Sequence, residues 1–153
     1  MAVKGTREFD IKATPAAIID ALADIEDLPS WSSPHKSASV LTRHADGLPD
    51  LVRAQVSVVG VTDNQKTRYQ WDGDRAMHWS LVESSQQAKQ VGSYRLTPTA
   101  SGTHVVFDLE LALKIPLPGF LQRRILAIAM DTASRDLAKF IQRRVATHRS
   151  PTQ

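Results

Sequence analysis

Histidine is the residue type of this sequence that proteins most often use in metal or acid–base sites. The chain has five histidines, and their spacing predicts no metal site. They lie at positions His35, His44, His78, His104 and His148. No two of them have the H-x-H, H-x-x-x-H or H-E-x-x-H spacing that brings two imidazoles to one face of an element. The chain has no cysteine, which excludes thiolate ligands and a thiol nucleophile. We therefore expect no metal and no other cofactor.

Motifs for nucleotide, acyl-transfer or nucleic-acid chemistry are missing as well. The sequence has no G-x-S-x-G nucleophile turn, no phosphate-binding glycine loop and no G-x-G-x-x-G fingerprint. Proteins that bind single-stranded nucleic acid need aromatic side chains exposed among lysines and arginines. Here the aromatic residues fall on the apolar faces of their predicted elements, so we expect no nucleic-acid partner.

Bulky apolar side chains are the strongest candidates for holding a ligand. The tryptophans are large and polarisable, and a tyrosine hydroxyl also forms a hydrogen bond with a ligand oxygen. Arg7 is the charged residue in register with the inward-facing Phe9 and Ile11, so it either enters the interior or reaches solvent at a strand end. The candidate ligand-binding residues are Trp31, Tyr69, Trp71, Trp79, Tyr94, Phe107, Leu109, Met130 and Arg7. An ordinary core role is the alternative for each aromatic residue.

The first elements that must position these side chains are a strand and two short helices. Apolar and polar residues alternate from Val3 to Ile11, which is the pattern of a half-buried strand. Thr14 is a preferred helix N-cap and Pro15 suits the first helical position. This pair predicts a helix that runs to about Asp24, and Asp27 predicts a second short turn over residues 28–31.

A period of two then returns for about eighty residues and predicts an antiparallel meander. The predicted strands are Lys36–His44, Leu51–Val59, Thr62–Trp71, Ala76–Glu83, Ala88–Thr97 and Thr103–Ile115. Apolar alternation assigns Met77, Trp79 and Leu81 to the interior and turns His78 outward. Hairpin pairing that places Leu96 opposite Val105 also places Tyr94 opposite Phe107 and Gly92 opposite Leu109.

The end of the chain predicts one long amphipathic helix. Pro116 and Pro118 interrupt the sheet, and apolar residues then recur at helical spacing from about Gly119 to Val145. A helix of this length crosses a whole small domain and would cover the concave face of the sheet. We predict a single domain over residues 1–146 and a flexible tail over residues 147–153.

Positive charge is concentrated in this C-terminal segment. From Leu121 onward there are seven basic residues against two acidic ones, a net charge of +5 in a chain of net charge +3. Contact with anionic membranes through Arg123, Arg124, Arg143 and Arg144 is one interpretation, and a solvated basic helix face is the other. The charged N-terminus and the lack of eighteen consecutive apolar residues favour a cytoplasmic protein.

Short motifs along nearly the whole chain resemble those of one superfamily. They are Thr14-Pro15, Leu22-Ala23-Asp24, Pro29-Ser30-Trp31, Tyr69-Gln70-Trp71, the run from Trp79 to Glu83, the run from Gly92 to Pro98, the run from Gly102 to Phe107 and the run from Ile115 to Leu121. In this order they resemble the SRPBCC superfamily, which includes START lipid-transfer domains, polyketide cyclases/dehydrases and coenzyme Q-binding proteins.

The resemblance implies an α+β helix-grip fold: a curved seven-stranded antiparallel sheet wrapped around a long C-terminal helix, with two short helices after strand 1. It also implies an apolar cavity between sheet and helix that binds or carries a hydrophobic small molecule of lipid, polyketide or isoprenoid-quinone type. One alternative is a polyketide cyclase/aromatase-like enzyme in which Tyr94 or Arg7 polarises a carbonyl. Another is a partner-binding module that uses the basic C-terminal helix.

Overall fold

The structure is a computed structural model, and it describes the backbone of residues 2–149 and the side chains of residues 2–144. The order begins with β1 (Val3–Ile11), α1 (Pro15–Ala23), a 3-10 turn (Ile25–Asp27) and α2 (Leu28–Trp31). It continues with β2 (His35–Arg43), β3 (Pro49–Val58), β4 (Val61–Asp72), β5 (Ala76–Ser84), β6 (Gln87–Thr99), β7 (Gly102–Leu113) and α3 (Gly119–Arg149). This is the α+β helix-grip arrangement predicted from the sequence.

The predicted boundaries are close to the observed ones. Every predicted strand of the meander begins and ends within two residues of the observed strand. Helix α3 begins at the predicted residue and continues to Arg149, beyond the predicted end at Val145. Of the predicted tail, residues 150–153 lie outside the described residues, and the domain boundary at residue 146 stays a prediction.

The seven strands form one antiparallel sheet in the order β1-β7-β6-β5-β4-β3-β2. Strands β2 to β7 follow one another as a meander, and β1 returns to the free edge of β7, where Val3 pairs with Leu111. The β6–β7 pairing places Tyr94 opposite Phe107. The predicted hairpin register is therefore confirmed, and it puts the aromatic residues of neighbouring strands on one face.

Helix α3 packs most closely on β1, at one edge of the sheet. Its predicted apolar stripe is buried, as shown by Leu126, Met130, Leu137 and Ile141. Gly5 permits the close approach, since a Cβ at that position would lie 2.7 Å from the Met130 sulfur. The Met130 side chain of the helix thus packs directly on the Gly5 backbone of β1, as expected where two elements approach closely.

The two short helices connect the first strand to the meander. Thr14 caps α1 as predicted, because its hydroxyl accepts a hydrogen bond from the backbone N–H of Ala17 at 3.2 Å. Asp27 precedes α2 but its side chain does not cap that helix; its carboxylate accepts instead from the Ser30 hydroxyl at 2.8 Å. These helices carry Leu22, Leu28 and Trp31 to the end of the concave face.

The convex face of the sheet carries a small charged cluster at the β1–β7 edge. The two ring nitrogens of His104 lie 2.9 Å from a Glu8 carboxylate oxygen and 2.9 Å from an Asp10 carboxylate oxygen. The hydrogen bond to Glu8 and then that to Asp10 raise the pKa of His104 above its ordinary value of 6.5. In its protonated form, His104 donates to both carboxylates and joins β7 to β1.

A prediction follows for the pH dependence of stability. Because the pKa of His104 is higher in the folded than in the unfolded chain, its contribution is fully present below about pH 6.5 and is lost as the pH rises through the folded pKa. We expect an NMR titration of His104 to give a pKa above 6.5, and the Glu8→Gln/Asp10→Asn variant to lower it. A wild-type pKa at or below 6.5 would contradict the assignment.

Candidate ligand cavity

A cavity of about 220 Å³ lies between the concave face of the sheet and α3. Because α3 packs on β1, the concave face farther from that edge is left without helix directly against it. The helix presents small side chains to this space, with Ala129 and Ala133 one turn apart and Ile125 one turn before them. Two neighbouring stripes of α3 thus have different tasks: one packs on β1 and the other lines the cavity.

Three aromatic rings in mutual contact form one wall of the cavity. The Tyr94 and Phe107 rings are stacked with their centroids 4.6 Å apart, and Trp79 lies 5.5 Å from Tyr94. Trp79 is paired across the strands with Gly92, and a Cβ on Gly92 would overlap the Trp79 ring. The missing side chain at Gly92 therefore lets the indole lie flat over the sheet.

A series of side-chain hydrogen bonds fixes the position of the Trp79 indole. The Trp79 N–H donates to the Gln90 side-chain oxygen at 2.9 Å, and the Gln90 amide donates to Gln87 at 2.9 Å. The Gln87 amide in turn donates to Asp63 at 2.8 Å. The position of the aromatic wall is thus linked to a carboxylate on β4.

Asp63 is a buried carboxylate, 5% exposed, with hydrogen-bond donors on both oxygens. The Ser84 hydroxyl lies 2.6 Å from one oxygen and 2.7 Å from the other. The backbone N–H groups of Ser85 and Gln86 each donate at 3.0 Å, and the Ser85 hydroxyl donates as well. These bonds fasten the turn between β5 and β6 to β4 and compensate the burial of the carboxylate.

The region near α2 combines a stacked indole with a serine–histidine pair. Trp31 stacks on Phe140 of α3, with ring centroids 4.9 Å apart, and its buried indole N–H has no hydrogen-bond partner among the described residues. The Ser32 hydroxyl lies 2.7 Å from His35 Nδ1. Burial lowers the pKa of His35 to about 4, so this imidazole is neutral near pH 7.

Two tyrosine hydroxyls also belong to the cavity lining. Tyr94 is only 7% exposed, and within the described part of the chain neither its hydroxyl nor that of Tyr69 forms a hydrogen bond. Burial raises the pKa of Tyr69 to about 12. Burial, reinforced by Tyr69, raises the pKa of Tyr94 further. Both phenols therefore stay protonated and remain available as donors.

The structure brings six of the nine predicted ligand-binding residues together at this cavity. They are Trp31, Tyr69, Trp79, Tyr94, Phe107 and Leu109. The other three lie elsewhere. The Trp71 indole donates to the Pro49 carbonyl at 2.8 Å, Met130 packs against Gly5, and Arg7 donates to the Asp131 carboxylate at 2.6 Å. Trp71 and Met130 face inward, as predicted, but they pack against neighbouring elements and not against the cavity. Arg7, for which the sequence left the interior and solvent open, is partly exposed and paired with Asp131.

The polar part of the lining is missing from the sequence-based prediction. Asp63, Gln65 and Thr67 precede Tyr69 on β4 at a period of two, and all four line the cavity. The period of two along β4 indicates the inward direction of these residues, but their polar character gives no sign of burial. His35 had no comparable signal, because its burial depends on the packing of α2.

Two further features concern metals and membranes. In residues 2–144, no group of three or more histidine, aspartate or glutamate side chains is arranged to hold a metal ion. Among the residues that the structure describes, no helix is both long enough and apolar enough to cross a membrane.

A comparison with known protein families finds a match over nearly the whole chain. Residues 2–146 match the family model described as "Polyketide cyclase / dehydrase and lipid transport". None of the curated proteins compared with this chain matches it.

Solved structures share the fold at low sequence identity. A START superfamily protein from Mycobacterium smegmatis is 22% identical, with a TM-score of 0.83 over 93% of this chain and 97% of that one. The ZhuI aromatase/cyclase from Streptomyces sp. R1128 is 16% identical, with a TM-score of 0.79 over 95% and 96% of the two chains. A protein from Thermus thermophilus is 23% identical, with a TM-score of 0.75 over 98% and 100%. At these identities, the similarity establishes the fold alone.

The contact between Trp79 and Gly92 generates a stability prediction. Gly92→Ala adds a methyl group where the indole lies, and overpacking of this kind costs about 1–3 kcal/mol of unfolding free energy. Val91→Ala, on the exposed side of the same strand, should change it by less than about 0.5 kcal/mol. In a Trp79→Ala background, Gly92→Ala should become nearly neutral, as measured by urea unfolding. An equal loss with and without Trp79 would refute the contact.

Proposed function

Since the chain belongs to the polyketide cyclase/dehydrase and lipid transport family, we propose that it binds and carries a hydrophobic small molecule in the cavity between the sheet and α3. The observation that supports this most directly is the aromatic-walled cavity itself, in a fold that could have filled the space with side chains. Lipids, polyketides and isoprenoid quinones are the chemical classes in question. A cytoplasmic location stays a prediction from the sequence.

The size of the cavity restricts the cargo. Its 220 Å³ is below the roughly 300–1,000 Å³ of most small-molecule sites. A guest is therefore either compact or extends through the mouth of the cavity. Apolar burial contributes about 25 cal/mol per Å², so a guest that buries about 400 Å² gains roughly 10 kcal/mol before the cost of immobilisation. That gain is sufficient for micromolar binding.

We assign the mouth of the cavity to the β3–β4 turn and the segment before α3, because residues of the lining are exposed there. Val61 and Ile115 line the cavity and are also substantially exposed. Val59 at the tip of the turn is 60% exposed, and Phe120 at the start of α3 is 64% exposed. Val59 has a φ of 52°, a conformation that is strained for a β-branched residue. An apolar rim of this kind suits contact with an apolar phase through which cargo is exchanged.

The basic residues of α3 support the proposal of a weak contact with anionic membranes. Arg123 and Arg124 are exposed beside this rim. Arg143 and Arg144 lie about 30 Å farther along the helix, at 1.5 Å per residue, and Arg144 also lies over the Phe140 ring at 5.7 Å. The pair beside the mouth is therefore better placed to assist exchange.

A cyclase-like activity is the second candidate, and the chemistry of the polar lining favours it. His35 offers a neutral imidazole and Tyr94 a protonated hydroxyl in the same cavity. An imidazole next to an acidic C–H and a hydroxyl next to the carbonyl oxygen are the groups that an aldol-type ring closure uses, although a pKa of about 4 makes this imidazole a weak base. Tyr94 is the carbonyl-polarising residue in this proposal, because Arg7 is paired with Asp131.

The carrier proposal predicts different effects for two tryptophans. Trp79→Ala should weaken binding of a neutral hydrophobic fluorescent probe by about tenfold or more, because Trp79 forms a wall of the cavity. Trp71→Ala removes an indole outside the lining and should lower the unfolding free energy while leaving binding within about threefold. Native mass spectrometry of the purified protein should detect a co-purified guest. Equal effects of both variants on probe binding would count against the cavity as the site.

The membrane proposal predicts a graded loss of vesicle binding. Each basic residue near an anionic surface contributes about 1 kcal/mol, screened over roughly 8 Å at physiological salt. At low salt the wild type should co-sediment with phosphatidylserine vesicles. Replacing all four arginines with glutamine should abolish this co-sedimentation. Arg123→Gln/Arg124→Gln should lose more than Arg143→Gln/Arg144→Gln. If the wild type stays in the supernatant at low salt, the membrane proposal is wrong, and the basic residues form a solvated helix face.

A further inference from the structure

The charges around the cavity restrict what kind of guest it can hold. Among the described residues that line it there is no lysine and no arginine. The arginine that the sequence placed on the inward face, Arg7, donates instead to Asp131 on α3. His35 lines the cavity but is neutral near pH 7, since burial lowers its pKa to about 4. A carboxylate guest would therefore lose its hydration without meeting a counter-charge.

A cationic guest is equally poorly served. The carboxylate in the lining is Asp63, and its two oxygens already accept hydrogen bonds from Ser84, Ser85, Gln86 and Gln87. Those donors belong to the β5–β6 turn, so releasing the carboxylate would undo the turn. Both Asp63 oxygens are thus occupied by structural hydrogen bonds. Among the residues described, the cavity therefore offers no charged group to pair with a guest.

The hydroxyls of Tyr69 and Tyr94 are hydrogen-bond donors in the cavity lining, and both phenols remain protonated. The Trp31 indole N–H also has no partner in the described part of the chain, but this nitrogen is closed off from the cavity as well as from solvent. A guest that supplies an acceptor oxygen forms a hydrogen bond with a tyrosine hydroxyl, and a pure hydrocarbon leaves these hydroxyls unpaired.

We propose that the guest is an uncharged, flat or compact apolar molecule that carries at least one acceptor oxygen, and that the site discriminates against carboxylates such as free fatty acids. The hydroxyls of Tyr69 and Tyr94 donate to the oxygen of a ketone, quinone or ether, while Trp79 and Phe107 cover the apolar body. This inference rests on the proposed binding function and adds the chemical class of the cargo.

Three naphthalene probes of similar size and with the same number of non-hydrogen atoms test it. These are 2-acetylnaphthalene, 2-isopropylnaphthalene and 2-naphthoate, which differ in having a neutral acceptor, no acceptor and a negative charge. At pH 7 the ketone should bind about tenfold more tightly than the hydrocarbon, the effect expected of one well-formed hydrogen bond to an otherwise unpaired donor. The naphthoate should bind at least about tenfold more weakly than the ketone. Isothermal titration or quenching of tryptophan fluorescence measures all three.

Variants that remove the donors while keeping the rings complete the test. Tyr69→Phe/Tyr94→Phe should abolish the preference for the ketone over the hydrocarbon and leave hydrocarbon binding within about threefold, which also shows that the cavity is intact. Trp71→Phe is the matched control, because its indole N–H is bonded to Pro49 outside the cavity, and it should keep the preference.

The outcomes separate this inference from the function on which it rests. Tight binding of the hydrocarbon with no gain for the ketone, or binding of the naphthoate as tight as that of the ketone, would overturn the assigned class and leave the binding function standing. If none of the three probes binds, the carrier function itself fails, and the inference fails with it.

Discussion

A straight helix cannot follow a curved sheet along its whole length, and this mismatch determines most of what is distinctive in the molecule. Helix α3 packs tightly on β1, where Gly5 lets Met130 approach the strand. Interiors are normally filled to the density of organic crystals, so a space elsewhere must be kept open by the choice of side chains. Ala129 and Ala133 on the cavity side of α3 keep it open.

The same constraint explains why the concave face has two kinds of residue. Beneath the helix, aliphatic side chains such as Ile11 and Val105 are buried and close-packed. Away from it, aromatic rings and amide side chains line an open space, and they are positioned by contacts across the sheet and behind it. Glycine at position 92 and carboxylate at position 63 are the two residues on which this second region depends.

The fold was largely predictable from the sequence, and the site only partly so. A period of two assigns each residue to a face, so the strands, the β6–β7 register and the inward direction of Trp79 and Tyr94 follow from local pattern. That pattern cannot tell which part of the inward face the helix covers. Met130 and Arg7 were therefore assigned to the cavity, although each is used in the contact between α3 and β1. The burial of Asp63 depends on donors some twenty residues away in the sequence, which no local pattern shows.

The amide chain from Asp63 to Trp79 also bears on how quickly the cavity could accept and release a molecule. Ordering a mobile side chain on binding costs conformational entropy, and a wall that is already fixed does not incur this cost again with each guest. Since Gln87 and Gln90 hold the indole in place through hydrogen bonds of 2.8–2.9 Å, the aromatic wall is preorganised. Under the proposed binding function, changes of shape during entry and exit would then fall to the remaining boundary, the β3–β4 turn and the first turns of α3. Affinity and exchange rate would be governed by different parts of the chain, so evolution or design could alter one without the other.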